Sequence, residues 1–376
     1  MAAGGLREHF DLGPGAYLLN HSVGRPPRDS ADVFLAAFYE PWRAGASEPW
    51  PAWLAVVERF RDALGRLLGA RREDLCPQPE VSTGFARILQ CLPGLTARRE
   101  ILLSERAFPS LGFVVERARS LGLEPRFLPA TVDERDPAQW RAHLTDRTAL
   151  VLVTQVQSNT GLQVPVAAVC AAAREQGALS VVDAAQAVGV LPLDVGEVGA
   201  DFLLGSCVKW LCGGPGAGFL WVAPALVQRC APDAVGWFSH ADPFEFDIHQ
   251  FRYHPTALRF WGGTPSIAPY AIAAHSIETL LAIGIDRVRA HNLALGDRLR
   301  AGVPAACRVS PAEPDARSGT VILDFAEGNA RAAEALAAAG VAADRRSSGF
   351  RLSPHIYNDE ADVDAALAAF RQAGVA

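Results

Sequence analysis

Lys209 is the single lysine of this chain, and every other member of its 35 basic residues is arginine. Arginine stays protonated in proteins, whereas a desolvated lysine amine can lose its proton and attack a carbonyl group. Lys209 follows an apolar run at 202–204 and precedes a glycine-rich run at 213–218. A position just beyond a buried strand favours a reactive amine over a surface charge, so we interpret Lys209 as a catalytic residue.

Asp183 ends a second apolar run, 179–183, and lies 26 residues before Lys209 (209 − 183 = 26). Pyridoxal phosphate (PLP) chemistry requires a carboxylate that keeps the pyridine nitrogen protonated and a lysine that holds the cofactor aldehyde as a Schiff base. The sequence therefore predicts PLP as the cofactor, with Asp183 and Lys209 as the catalytic residues.

Three hydroxyl groups are candidates for binding the cofactor phosphate. Ser82 and Thr83 stand at the start of a predicted helix at 83–92, where free backbone amides and the helix dipole favour an anion. Ordinary N-capping is the simpler interpretation of this motif alone. Ser206, three residues before Lys209, could reach the same phosphate.

Phe108 and Arg351 are candidates for contacts with the cofactor ring and the substrate. Phe108 opens a Phe-Pro-Ser turn after a predicted strand and could either stack on the ring or belong to the core. Arg351 could bind a substrate carboxylate, because a planar guanidinium matches two carboxylate oxygens. A lone arginine is more often a surface residue, and the nearby Arg345 or Arg346 could take this role instead.

The order of the predicted elements indicates an α/β fold with a mostly parallel sheet. Predicted strands span residues 101–104, 124–128, 149–154, 179–183, 201–204 and 218–222. Predicted helices at 83–92, 110–121 and 164–176 alternate with them. The ligand of such a sheet binds at the carboxyl ends of its strands. The glycine run at 213–218 leads into a strand rather than a helix, which favours a sharp turn over a dinucleotide site.

A length of 376 residues predicts two domains. We expect an N-terminal segment (1–30), a large PLP-binding domain (31–265) and a small C-terminal α+β domain (266–376). The last contains long helices at 266–283 and 286–301.

Composition restricts the partners and the location that we expect. The net charge of −6 provides no basic patch for nucleic acid or anionic lipid. Apolar runs of membrane length and a signal-peptide core are not evident in the sequence. Seven cysteines without a Cys-x-x-Cys pair argue against disulfides and a zinc site. We therefore expect a cytoplasmic protein without a metal ion.

These motifs resemble those of the class V aminotransferase family of PLP-dependent enzymes, which have the aspartate aminotransferase fold (fold type I). The segments Asp183-Ala-Ala-Gln186 and Ser206-Cys-Val-Lys209 carry the resemblance, which extends over nearly the whole chain. The resemblance implies that Gln186 lies near the cofactor phenolic oxygen.

The same resemblance implies further cofactor contacts and a homodimer with shared active sites. Ser158 occupies the position where many members place an asparagine against the ring. Thr264 lies in the Gly-Thr-Pro segment that reaches the phosphate across the dimer interface. Arg351 belongs to the segment that binds the substrate carboxylate in the family.

Within the family the sequence is most similar to kynureninases. Phe108-Pro-Ser and Gly236-Trp-Phe-Ser-His240 resemble their segments, which implies that Trp237 contacts the cofactor. Two positions differ, because Gln186 stands where kynureninases carry histidine and Val208 replaces the tyrosine before the lysine.

Two further segments bear on the substrate. Leu19-Asn20-His21 is shared with isopenicillin N epimerase-like members, so Asn20 and His21 are candidate substrate-binding residues. The loop at 342–349 lacks the cysteine that cysteine desulfurases use as their nucleophile.

These observations predict a PLP-dependent enzyme acting on an α-amino acid. A kynureninase-like lyase that cleaves a C–C or C–S bond at Cβ is the favoured reaction, and a class V aminotransferase or an isopenicillin N epimerase-like enzyme is the alternative. A non-catalytic member of the fold is a different class of hypothesis. The presence of both Lys209 and Asp183 argues against it.

Overall fold

A computed structural model of the protein describes residues 6–45 and 47–376. Its strands are β1 (Ala16–Tyr17), β2 (Leu75–Gln78), β3 (Glu100–Ser104), β4 (Glu124–Leu128), β5 (Thr148–Thr154), β6 (Leu179–Asp183), β7 (Phe202–Ser206), β8 (Gly218–Val222), β9 (Val321–Leu323), β10 (Val341–Ala342), β11 (Asp344–Arg346) and β12 (Gly349–Leu352).

Its helices are α1 (Ser30–Phe34), α2 (Glu40–Ala44), α3 (Trp50–Leu68), α4 (Val81–Leu95), α5 (Pro109–Arg117), α6 (Pro137–His143), α7 (Val166–Glu175), α8 (Val195–Val198), α9 (Pro224–Val227), α10 (Ala268–Ile283), α11 (Ile285–Ala301), α12 (Asn329–Ala338) and α13 (Glu360–Gln372).

The central sheet has the strand order β2-β8-β7-β6-β5-β3-β4. Its five strands from β7 to β4 are parallel, whereas β8 runs antiparallel to β7 and β2 runs antiparallel to β8. The prediction of a mostly parallel sheet is therefore confirmed, and each of the six predicted strands is present. Strand β5 is buried along its whole length, which explains its continuous apolar sequence.

Strand β2 of the central sheet was not predicted from the sequence. It has four residues, Leu-Cys-Pro-Gln, and occupies the edge of the sheet beside β8. Pro77 has no backbone N–H to donate, so proline inside a short apolar run normally argues against a strand and is tolerated at an edge. Residues 75–78 therefore lack the continuous apolar sequence that predicts the inner strands.

Two hydrophobic clusters divide the chain. The larger one contains the central sheet together with residues of α3, α4, α7 and α10. The smaller one contains residues of α11, α12 and α13 packed against β9, β12 and the N-terminal strand β1. Helix α10 packs on α3 within the larger cluster, so the packing changes inside α11 rather than at residue 265. The division into domains at 265 remains a prediction.

The N-terminal segment connects both clusters. Strand β1 pairs in parallel with β10 of the small cluster. Gly24 packs on the loop that carries Lys209, because its N–H donates to the carbonyl oxygen of Val208 at 2.8 Å. A Cβ atom at Gly24 would overlap the carbonyl oxygen of Lys209, so only glycine permits this approach.

Among the described residues no individual helix combines the length and apolar character needed to cross a membrane, and only the pair α10 and α11, bent by 78°, passes that test together.

Candidate active site

The carboxyl ends of three neighbouring parallel strands meet at one edge of the central sheet. Thr154 ends β5, Asp183 ends β6 and Ser206 ends β7, and Thr154 and Asp183 are register partners. Lys209 follows β7 by three residues. Parallel strands end at the same side of a sheet, so residues distant in sequence come together there.

A cavity of about 200 Å³ lies at this edge. Seven of the predicted site residues line it: Ser82, Phe108, Ser158, Asp183, Gln186, Ser206 and Lys209. The structure therefore brings together the two predicted catalytic residues and most of the predicted cofactor ligands. No group of three or more histidine, cysteine or acidic side chains among the described residues could hold a metal ion.

Protein atoms surround the amine of Lys209, although the cavity leaves part of the side chain accessible. Burial lowers the pKa of Lys209 because it penalises the charged ammonium, while the nearby carboxylate of Asp183 opposes this shift. The positive charges of Arg351 and Arg346 lower the pKa further. The amine is thus easier to deprotonate than an ordinary lysine.

Asp183 is a buried carboxylate at the base of the cavity. Its Oδ1 atom accepts the backbone N–H of Ala185 at 3.0 Å. Burial raises the pKa of Asp183, whereas the N–H of Ala185 and the charge of Lys209 act in the opposite direction. A cationic partner inside the cavity would relieve this burial cost.

Phe108 stands at the N-terminus of helix α5 and is 41% exposed. The amine of Lys209 lies 5.7 Å from the centre of its ring. The alternative that Phe108 is an ordinary core residue is therefore wrong. An exposed aromatic ring over the lysine is available to stack on a flat ligand.

The N-terminus of helix α4 carries an unexpected acid. Glu80 is its N-cap, and the Glu80 carboxylate accepts both the N–H of Thr83, at 2.9 Å, and the Thr83 hydroxyl. Ser82 lines the cavity, but Thr83 does not. Thr83 as a phosphate ligand therefore stays a prediction, and it would require Glu80 to release the hydroxyl.

A buried acid fixes the two loops that carry Phe108 and Ser158. Glu134 accepts hydrogen bonds from the Ser104 hydroxyl at 2.5 Å and from the Gln157 amide at 2.6 Å. It also pairs with Arg106 at 3.1 Å. Ser104 and Arg106 precede Phe108, and Gln157 precedes Ser158, so this carboxylate joins the loops behind the cavity.

The amide of Gln186 is held on both sides. Its Nε2 donates to the backbone oxygen of His21 at 3.1 Å, and its Oε1 accepts Nε1–H of Trp210 at 3.1 Å. Gln186 lines the cavity, whereas His21 and Asn20 do not. Asn20 is fully buried, and its Oδ1 accepts the hydroxyl of Tyr357 at 2.6 Å. Asn20 and His21, which the sequence predicts to bind the substrate, are therefore not part of the cavity wall.

The guanidinium of Arg351 is also outside the cavity wall and already carries a partner. Its Nε and Nη2 donate to the two carboxylate oxygens of Asp344. Its Nη1 lies 3.4 Å from the carbonyl oxygen of Ser158, which lines the cavity. The side chain of Arg351 is buried, whereas Arg345 and Arg346 are exposed. Burial beside the cavity favours Arg351 over its two neighbours as the carboxylate ligand.

Trp237 and Thr264 do not line the cavity of their own chain. Trp237 packs against Trp50, Phe244 and Phe246, and Thr264 is exposed. Contact of these two residues with the cofactor of a neighbouring chain stays a prediction.

Sequence reasoning missed several lining residues: Glu80, Val81, Ser110, Leu111, Thr154, Val156 and Ala185. Thr154 could have been found, because it ends a predicted strand in the same way as Asp183. The apolar members carry no signal that separates them from the core. Asp344 was missed because its partner lies across a hairpin.

The residues of the cavity fit PLP. The hydroxyl of Thr154 is buried at the cavity wall without a hydrogen-bond partner among the described residues. Asp183 is positioned to balance a cationic ring nitrogen, and Lys209 is an amine with a lowered pKa. Ser82 and Ser206 are the hydroxyl groups available to a phosphate.

A family model described as aminotransferase class-V matches residues 54–366. The chain belongs to the class V aminotransferase family. It is therefore a PLP-dependent enzyme, as the residues of the cavity independently indicate. The predicted family and cofactor are confirmed.

Similarity to kynureninases supports a kynureninase-like enzyme within this family. The kynureninase of Deinococcus radiodurans is 32% identical over 303 residues, which cover 77% of this chain and 72% of that protein. The kynureninase of Pseudomonas fluorescens is 29% identical over 358 residues, which cover 91% of this chain and 84% of that protein. The predicted kynureninase-like character is confirmed.

Solved structures confirm the fold. A complex of the cystine C–S lyase C-DES with its product cysteine persulfide superposes with a TM-score of 0.85 at 22% identity, covering 97% of this chain and 98% of that chain. A cysteine desulfurase from Thermococcus onnurineus gives a TM-score of 0.83 at 21% identity, covering 95% of this chain and 94% of that chain. The class V enzyme therefore has the predicted fold type I architecture.

Proposed function

We propose that this class V enzyme cleaves the bond between Cβ and Cγ of a kynurenine-like α-amino acid by hydrolysis. The observation that carries the proposal is the arrangement of Lys209, Asp183 and Phe108 around one cavity. The similarity to kynureninases over most of the chain selects this reaction among those of the family.

Bound PLP supplies an aldehyde for the substrate amine and a ring that accepts electrons. Lys209 has a lowered pKa, so its neutral amine is available to remove the proton from Cα of the substrate. The Asp183 carboxylate would balance a positive charge on the ring nitrogen, and the exposed ring of Phe108 would stack on the cofactor ring. Ser82 and Ser206 would bind the phosphate.

The substrate carboxylate binds Arg351 in this proposal. The Nη1 atom of Arg351 is adjacent to Ser158 on the cavity wall, and its 3.4 Å contact with the carbonyl oxygen is long for a hydrogen bond. A carboxylate would provide a stronger partner for this atom. His21 supports this carboxylate site from outside the cavity, because its Nε2 contacts Asp344 at 2.9 Å, whereas Asn20 contacts Tyr357 instead.

The cysteines favour carbon–carbon cleavage over a desulfurase reaction. Cavity-lining residues in the described part of the chain include no cysteine. Cys212 is fully buried, and burial raises its pKa, so its thiol is a poor nucleophile. A thiol that could accept sulfur from a substrate is therefore not part of the cavity.

We infer a cytoplasmic homodimer with shared active sites. Thr264 is exposed, and the side chains around Trp237 include Phe246, which is 74% exposed, and Ile248, which is 89% exposed. Exposed apolar side chains of this size favour a protein–protein interface. A second copy that covers them would bring Trp237 and Thr264 to the neighbouring cavity.

The proposal is tested by identifying the products from L-kynurenine, L-cystine and L-alanine with a keto-acid acceptor. Hydrolysis of L-kynurenine to alanine and 2-aminobenzoate supports the proposal. A keto acid formed only with the acceptor would instead show transamination, racemised substrate would show epimerisation, and sulfur release from cystine alone would show C–S cleavage. Holoenzyme that leaves L-kynurenine unchanged would overturn the proposed reaction.

A further inference from the structure

The carboxylate of Asp344 meets the guanidinium of Arg351 across a β-hairpin. The two residues are register partners in the antiparallel strands β11 and β12. Nε of Arg351 donates to Oδ1 of Asp344 at 2.8 Å, and Nη2 donates to Oδ2. Asp344 therefore occupies the side of the guanidinium formed by Nε and Nη2, while Nη1 stays outside this ion pair.

His21 holds Asp344 from the other side. Nε2 of His21 lies 2.9 Å from Oδ1 of Asp344, and Nδ1 lies 2.6 Å from the Ser353 hydroxyl. A carboxylate oxygen only accepts, so Nε2 carries the proton and Nδ1 accepts from Ser353. The Ser353 hydroxyl in turn contacts the hydroxyl of Thr320 at 2.8 Å. A buried hydrogen-bond chain thus fixes the orientation of the carboxylate.

The remaining part of the guanidinium contacts a residue of the cavity wall. Nη1 of Arg351 contacts the carbonyl oxygen of Ser158, a residue of the cavity wall. The His21 backbone oxygen also accepts the amide of Gln186, another residue of the wall. The series of hydrogen bonds that links Thr320, Ser353, His21, Asp344 and Arg351 therefore contacts the cavity wall at two residues, Ser158 and Gln186.

We propose that Asp344 is a positioning residue that holds Arg351 side-on, with His21 behind it, so that Nη1 of Arg351 receives the α-carboxylate of the substrate. This inference rests on the proposed function, because it assigns the substrate carboxylate to Arg351. The rival arrangement is that Asp344 occupies the place of the substrate carboxylate and competes with it. The two arrangements predict opposite effects of removing the Asp344 charge.

The test compares binding of two amines by the holoenzyme. L-alanine and isopropylamine differ only by a carboxylate in place of a methyl group, so the ratio of their Kd values measures what the carboxylate contributes. Binding is followed by the change in cofactor absorbance. If Asp344 positions Arg351, Asp344→Ala and Asp344→Asn lower the preference for L-alanine by about ten-fold and leave the Kd of isopropylamine unchanged.

Asp364→Asn is the matched control. Asp364 also accepts two hydrogen bonds from one arginine, Arg298, both at 2.7 Å, but this pair lies on the exposed faces of α11 and α13. Its removal leaves the preference for L-alanine unchanged. The isosteric Asp344→Asn variant keeps the side-chain volume if loss of the whole side chain prevents folding.

Each other outcome overturns the inference. A stronger preference for L-alanine in the Asp344 variants shows that Asp344 competes with the substrate, and an unchanged preference shows that it has no part in carboxylate binding. Arg351→Ala tests the assumption that Arg351 binds the substrate carboxylate. If this variant keeps the wild-type preference for L-alanine, the carboxylate binds elsewhere. The reaction identified from the products is not affected by that result. Wild-type holoenzyme that binds neither amine contradicts the proposed function as well.

Discussion

The amine of Lys209 lies 5.7 Å from the centre of the Phe108 ring. One group comes from the loop after β7 and the other from the start of α5, and both face the same cavity. The exposed ring and the amine with a lowered pKa are held in place by different loops, so their roles can be tested independently.

Replacing Phe108 should weaken cofactor binding without abolishing it. Stacked aromatic pairs contribute about 0.5–1.5 kcal/mol beyond area burial, so Phe108→Ala should raise the Kd for PLP by about 2- to 12-fold. Fluorescence titration of the cofactor-free protein measures this change. Phe113→Ala is the control, because Phe113 lies on the same helix, is 68% exposed and does not line the cavity. Equal affinities in the two variants would remove Phe108 from the site.

Lys209 should be the only side chain that forms a reducible bond with PLP. Borohydride treatment followed by peptide mass analysis should place the cofactor on the peptide containing Lys209, and Lys209→Ala should yield no such peptide. Turnover should fall by about two to four orders of magnitude, because the general base is lost. Lys209→Arg keeps the charge but supplies no neutral amine, so it should be equally inactive. Wild-type turnover in either variant would contradict the role.

Asp183→Asn should lower turnover far more than stability. Removing one charged hydrogen-bond partner costs about 1.5–3 kcal/mol, which corresponds to a fall of about 10- to 150-fold in kcat. In the cofactor-free protein, by contrast, the charged carboxylate of Asp183 lowers the stability of the folded state. Burial raises the folded-state pKa of Asp183 above its ordinary value of 3.8, so the folded protein loses stability as Asp183 becomes charged with rising pH.

Cofactor-free Asp183→Asn protein should therefore unfold at the same temperature as wild type or higher at neutral pH. Thermal denaturation measures this, and a visible spectrum verifies cofactor binding in the kinetic samples. A variant with kcat within a few-fold of wild type would remove Asp183 from the mechanism.

Acid should destabilise the protein through His355. This ring is fully buried, its Nε2 donates to the Trp210 carbonyl oxygen at 3.1 Å, and Nδ1 has no partner within the described chain. Burial lowers the pKa of His355 from 6.5 to about 3. The unfolded chain therefore binds the proton first, and stability present above pH 6.5 is lost as the pH falls toward 3.

Denaturant unfolding between pH 7 and 4 should show a slope of at most about 1.4 kcal/mol per pH unit from this residue. His355→Gln should flatten the slope, because glutamine keeps a donor and does not titrate. Burial also lowers the pKa of His254, to about 4, so His254→Gln is the matched variant and should remove a separate part of the slope. An unchanged slope in His355→Gln would show that the ring is not the acid-sensitive group.

Shared active sites should allow two inactive variants to restore each other. A dimer of one Lys209→Ala chain and one Thr264→Ala chain contains one site with both residues intact if Thr264 acts on the neighbouring cavity. Random mixing should then return about a quarter of wild-type activity, because half of the dimers are mixed and each has one complete site. Activity no greater than the sum of the two parents would show that each site belongs to one chain.

Strand ends were predictable from the sequence because the patterns that define them are local. Continuous apolar runs located β5, β6 and β7, and the rule that parallel strands end on the same side brought Asp183 and Ser206 together. Lys209 could be recognised from the sequence alone, because it is the single basic residue whose side chain can supply a neutral amine. The sequence by itself therefore predicts the family, the cofactor and the fold.

Tertiary structure decided the electrostatic partners of these residues. The cross-strand pairing of Asp344 with Arg351 and the capping of Thr83 by Glu80 depend on how side chains meet in space. The spacing of apolar residues along the sequence does not indicate which polar side chains will be in contact. The exposure of Phe108 likewise depends on the cavity that other elements leave open beside it. Local sequence predicted which groups carry the chemistry, whereas packing determined which of them are free to use it.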